Sequence, residues 1–81
     1  MITPTIHMNG TSKKDLLEGY CKIMHALHET LARMQEYSPN ARDYYVQSPT
    51  AYAAARDQYQ RQFKAINEVL QEIEQIVEEI A

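Results

Sequence analysis

Two groups of side chains in this sequence have the types and spacing that chemistry requires. The first is Cys21, His25 and His28, offset by four and three residues, with Glu29 next to the last of them. On a helix those offsets line up along one flank, and thiolate and imidazole are zinc ligands. A closed zinc site takes four ligands and a catalytic one keeps an open position for water. The second half of the chain has no cysteine or histidine to complete either. The plainer reading is two partly exposed histidines beside a small cysteine that flanks an apolar seam. No metal site and no cofactor are therefore expected, unless oligomer symmetry joins two such half-sites.

The second group lies in YSPNARDYYVQSPT, residues 37–50, and just beyond it. Tyr37, Tyr44, Tyr45, Tyr52 and Tyr59 fall close to Arg42, Arg56 and Arg61, with Asp43 among them. Tyrosine and arginine offer stiff, amphipathic contact area and dominate binding hot spots. The same pair suits a nucleotide, with rings stacking on a base and guanidinium forks taking phosphate oxygens in twos. Against this stands simple end packing, with the tyrosines closing the loop over a bundle end and Asp43 paired to Arg42. For Tyr52 and Tyr59, on an apolar seam, packing is the favoured reading; for Arg42, Tyr44 and Tyr45 both readings stay open. A polar arm, His7-Met8-Asn9-Gly10-Thr11-Ser12, adds hydroxyls and backbone N–H groups next to a helix start, where an anion is well received. The candidate ligand-binding residues are Arg42, Asp43, Tyr44, Tyr45, Asn9, Thr11, His7 and Arg56.

Catalysis is not expected. No serine–histidine–acid set has a recognisable elbow, and with Gly10 and Gly19 the only glycines no phosphate-cradling loop exists. The glutamates between 68 and 79 lack the Glu-x-x-His partner of a carboxylate metal site and read as a solvated helical face.

The elements that must carry these residues are two helices. Thr11 or Ser12 offers an N-cap, and Asp15, three residues beyond Ser12, favours the positive end of a helix. Leu17, Tyr20, Met24, Leu27, Leu31 and Met34 then alternate steps of three and four, the spacing of a coiled-coil seam. Pro39 ends that helix. Ser48-Pro49 reads as an N-cap followed by a first-turn proline. Tyr52, Tyr59, Phe63, Ile66, Leu70, Ile73, Val77 and Ile80 repeat the spacing, with Arg56 standing where the stripe wants an apolar residue.

The predicted fold is all-α: an antiparallel helical hairpin with an extended N-terminal arm, in one domain covering 1–81. The arm takes 1–11, the first helix 12–37, the connection 38–48 and the second helix 49–80. Leu16 and Ile23 flank the first seam, and Val69 and Ile76 the second. One hairpin would leave these in water, so a helical-bundle homo-oligomer is expected. In a single hairpin the arm and residues 42–45 lie far apart; in an oligomer one copy's arm can reach another's loop.

Composition sets the remaining bounds. A net charge of −3 argues against general nucleic-acid binding. The charges are sorted: residues 1–64 hold all eight basic residues and six acids, whereas 65–81 hold five glutamates and nothing basic. A single cysteine rules out a disulfide framework within one chain and fits a reducing compartment. Without a signal peptide or a membrane-length apolar run, a cytoplasmic protein with no membrane partner is expected.

Ile6-His7-Met8-Asn9-Gly10-Thr11-Ser12, then Asp15-Leu16-Leu17-Glu18-Gly19-Tyr20 and Pro39-Asn40-Ala41-Arg42-Asp43-Tyr44-Tyr45, resemble short helical-hairpin proteins encoded by tailed phages and prophages. Ala41 departs from that pattern, where glycine is expected. The resemblance implies a small accessory phage protein working in the host-cell cytoplasm. By likeness of style it also implies one that blunts host defence by soaking up cyclic or modified nucleotide signals. Two functions follow as expectations: binding and sequestration of a nucleotide-like anionic ligand without turnover, or an interaction module that binds and inhibits a host protein.

Overall fold

A computed structural model describes all 81 residues as two helices joined by a structured loop, with no strand. Helix α1 runs Lys13–Glu36 and helix α2 runs Ala51–Ile80, packed antiparallel as a hairpin about 61 Å long and 21 Å by 16 Å in section. A single 3₁₀ turn, Ala41–Asp43, interrupts the connection. Neither helix is long and apolar enough to cross a membrane.

The start of α1 is capped as its sequence predicts. Ser12 stays extended and its Oγ accepts the Asp15 backbone N–H at 3.1 Å. The Asp15 carboxylate makes no return bond, so it acts on the helix dipole alone. At the other end Tyr37 N–H closes onto the Arg33 carbonyl before Pro39 forbids another turn.

Helix α2 begins later than Ser48-Pro49 suggests. The Ser48 hydroxyl lies 3.4 Å from the Thr50 hydroxyl and caps no backbone N–H, while the Ser48 carbonyl accepts from Ala51 in a tight turn. The first helical bond is Ala54 N–H to the Thr50 carbonyl, so Pro49 sits in the turn before the helix. The departure at Ala41 is also resolved locally. It opens the 3₁₀ turn, and no residue in the chain takes a positive φ, so glycine's extra freedom is not needed there.

The two stripes form the seam. Every apolar residue on it is buried or half-buried, but only Leu31, Leu70 and Ile80 are fully so. The flanks are unequal. At about 100° per residue, Cys21 and His28 fall on one side of the α1 seam and Leu16 and Ile23 on the other. His28 Nε2 contacts a Glu74 carboxylate oxygen at 3.4 Å. That contact joins the His28 side of α1 to the Glu74 side of α2, so Leu16 and Ile23 look out on the same side as Val69 and Ile76. One side of the hairpin is polar along its length; the other is apolar over the half nearer the arm, with Leu16 and Ile76 half-buried, and is lined by Thr30, Arg33, Tyr37 and Gln62 nearer the loop. In the apolar half Ile23 is 45% and Val69 47% exposed.

Candidate functional site

The loop end is built by backbone bonds. Asn40 Oδ1 accepts the Arg42 N–H at 3.1 Å and its carbonyl accepts the Asp43 N–H. The Ala41 carbonyl then takes the N–H groups of both Tyr44 and Tyr45, at 3.0 and 3.1 Å, and the Tyr44 carbonyl takes that of Gln47. A segment bonded at each step presents its side chains in fixed directions. Asn40, a common turn-former, is the residue that sets this geometry, and its type was the available signal for it.

Those directions separate the two adjacent tyrosines. Tyr44 is half-buried, its ring 6.4 Å from that of Tyr52 at a tilted angle, and the Arg56 guanidinium stands 5.9 Å from the Tyr52 ring centre. Loop, seam and arginine thus form one continuous stack, with Tyr59 and Phe63 paired further along at 6.0 Å. Tyr45 points away and is 71% exposed, beside Val46.

The charges at this end are largely unpaired. Arg33 is held by Glu29 at 3.4 Å and Glu36 at 3.0 Å, and Lys64 reaches Glu68 at 4.0 Å. Arg42, Arg56 and Arg61 hold no carboxylate, and Asp43 is not paired to Arg42. Residues 37–64 carry four basic residues against two acids. Beside the stack, Gln35, Gln60, Asn67 and Lys64 line a groove of about 420 Å³ floored by Tyr59 and Phe63, which the sequence did not single out.

The arm residues lie at the opposite end. The Thr3 hydroxyl donates to the Glu79 carboxylate, and Lys13 Nζ donates to the Ala81 carbonyl at 3.3 Å, tying the N-terminal segment to the end of α2. A turn closes from Gly10 N–H to the His7 carbonyl, and the His7 ring folds over Gly10, where a Cβ would come within 2.7 Å of its Nε2. Ser12 is committed to its cap, whereas the exposed side chains of Asn9 and Thr11 make no hydrogen bond.

One chain therefore brings together Arg42, Asp43, Tyr44, Tyr45 and Arg56 but not His7, Asn9 and Thr11. The roughly 36 Å length of α1 stands between the two sets. Along the polar face, Cys21 is half-buried, His25 is exposed and His28 turns to Glu74. No three histidine, cysteine or acidic side chains converge closely enough to share an ion. No family model, curated protein or solved structure matches this chain.

Proposed function

We propose that this protein is a non-catalytic, self-associating binder of a nucleotide-like anion, with the loop end as its capture surface. The supporting observation is that Arg42 and Arg56 hold no carboxylate, Arg56 standing over the Tyr52 ring and Arg42 two residues before its stacking partner Tyr44. Free guanidinium forks receive phosphate oxygens, and an exposed ring such as Tyr45 receives a base. Asp43 accepts from ribose or base N–H and O–H groups. Nothing in this arrangement is a nucleophile activated by a neighbouring base, so the reading is capture without turnover. Combined with the phage resemblance, the proposed role is sequestration of a host nucleotide signal in the cell interior.

The experiment is a thermal-shift screen with cyclic dinucleotides, cyclic trinucleotides and ADP-ribose, on wild type and on Arg42→Ala. A rise in melting temperature that Arg42→Ala abolishes supports capture. No rise with any of the panel sinks it. A second reading, an inhibitor of a host protein, is favoured by one observation: Tyr37, Tyr45 and Val46 expose apolar surface around the tip, Tyr37 at 82%. A host protein recovered on the wild type but not on Tyr45→Ala, with the nucleotide panel silent, would establish it instead.

A further inference from the structure

We propose that the groove floored by Tyr59 and Phe63, on the polar side of the hairpin, is a seat for an adenine base whose phosphate turns to Arg56. The inference rests on the capture function proposed above for its ligand class, a nucleotide, and adds the seat and the base.

The register of the hairpin builds the walls. His28 meets Glu74 on the polar side. Seven residues on from His28 is Gln35, and seven back from Glu74 is Asn67, so the same register sets these two amides across the groove from each other. Arg56, Gln60, Lys64 and Asn67 follow at steps of four, four and three, which keeps them on one flank of α2. Gln35, Gln60 and Asn67 make no hydrogen bond within the chain, so their donors and acceptors are open to a ligand even though Asn67 is half-buried.

Floor and charge fit the same ligand. Beyond Phe63 the α2 seam is aliphatic, whereas Tyr59 and Phe63 are half-buried rings tilted by 40° that both line the groove. A base stacks on such a face. The groove holds about 420 Å³, within the roughly 300–1,000 Å³ of small-molecule sites. From Gln58 to Asn67 α2 carries no acid, and no carboxylate lines the groove, so its lining does not repel an anion. Lys64 touches only Glu68, at 4.0 Å, the outer limit of an ion pair. Arg56 holds no carboxylate and stands one turn, about 6 Å, from Gln60 toward the loop. The groove on the other side of Tyr59 lacks a free cation, because its Arg33 is already held by Glu29 and Glu36.

Hydrogen-bond chemistry selects the base. Adenine presents a donor beside an acceptor, its amino group next to a ring nitrogen, and asparagine and glutamine answer with an acceptor beside a donor. Guanine presents a ring N–H and an amino group side by side, two donors best met by a carboxylate, and the groove has none.

The test is a titration of the full chain with adenosine monophosphate, guanosine monophosphate and ribose 5-phosphate, followed by heteronuclear NMR of the side-chain amides. Adenosine monophosphate is expected to move the side-chain signals of Gln35, Gln60 and Asn67, and ribose 5-phosphate to leave them in place. Guanosine monophosphate should bind about tenfold more weakly, within what one bidentate amide–base contact discriminates. Gln60→Ala and Asn67→Ala should each weaken adenosine monophosphate by a similar factor, while Gln62→Ala, on the opposite flank, changes nothing. Equal binding of the two nucleotides overturns the inference, and so do amide signals that adenosine monophosphate leaves unmoved. Unmoved amides with a melting temperature that the cyclic nucleotides or ADP-ribose still raise sink the groove alone. Unmoved amides with a silent panel sink the capture function as well.

Discussion

Tyr44 and Tyr45 are chemically identical and adjacent, yet the structure gives them different work. Tyr44 leans on Tyr52 and belongs to the packing of the hairpin; Tyr45 is held out to solvent by the same 3₁₀ turn. Tyr44→Ala is expected to cost about 1 kcal/mol beyond lost area, the worth of an aromatic pair, whereas Tyr45→Ala stays within about 0.5 kcal/mol. Urea denaturation of the two variants checks the difference, and equal losses would show that the stack does not hold the loop. The two roles were not legible in the sequence, because in a 3₁₀ turn side-chain direction follows the backbone bonds. Those bonds start from the Asn40 side chain, outside the pair. Composition also left open a pairing of Arg42 with Asp43, and the structure forms no such ion pair. Arg42→Ala therefore removes no internal ion pair. It is expected to leave helix content and mass unchanged while abolishing ligand-induced stabilisation, readable by circular dichroism alongside the thermal shift.

At the scale of elements, legibility depended on how local the deciding interaction is. Helix α1 could be read closely because a cap three residues from its partner and a strict three–four stripe are both short-range. The start of α2 could not, because Ser48 has two uses for its neighbourhood, as an N-cap or as the first residue of a turn. The structure takes the turn, with its hydroxyl next to that of Thr50. The two serines thus make a paired prediction. Ser12→Ala is expected to destabilise by about 1 kcal/mol through an orphaned N–H, and Ser48→Ala by less than about 0.5 kcal/mol. Equal effects in urea titrations would mean that Ser48 caps after all. The division into a polar and a partly apolar side was half legible. The flanking residues could be named, but which flanks face together followed only from the contact of His28 with Glu74.

For the whole molecule the governing fact is how little of it is buried. With three residues fully buried and the rest of the seam half-buried, the apolar surface left open at Ile23 and Val69 is where a partner would add most. Ile23→Glu and Val69→Glu are each expected to reduce the mass in sedimentation to that of one chain and to lower the melting temperature together with the helical signal. In the wild type the melting temperature should rise with protein concentration, as linkage of folding to association requires. A concentration-independent melt would mean that the hairpin is complete by itself. The proposal of self-association comes from the width of the stripes, which the sequence displays. The separation of the arm from residues 42–45 was legible too, because any antiparallel hairpin with the arm before its first helix puts the two at opposite ends.

The latch between Thr3 and Glu79 also sets an order of events. Its partners are 76 residues apart in the chain, and those of the Lys13–Ala81 bond 68 apart, whereas Tyr44 and Tyr52 are near neighbours. Closing a short loop loses less entropy than closing a long one, so the hairpin zips from the tyrosine turn toward its open end, and the arm settles last. Thr3→Val should therefore speed amide exchange in residues 1–11 while leaving the middle of α2 as protected as before.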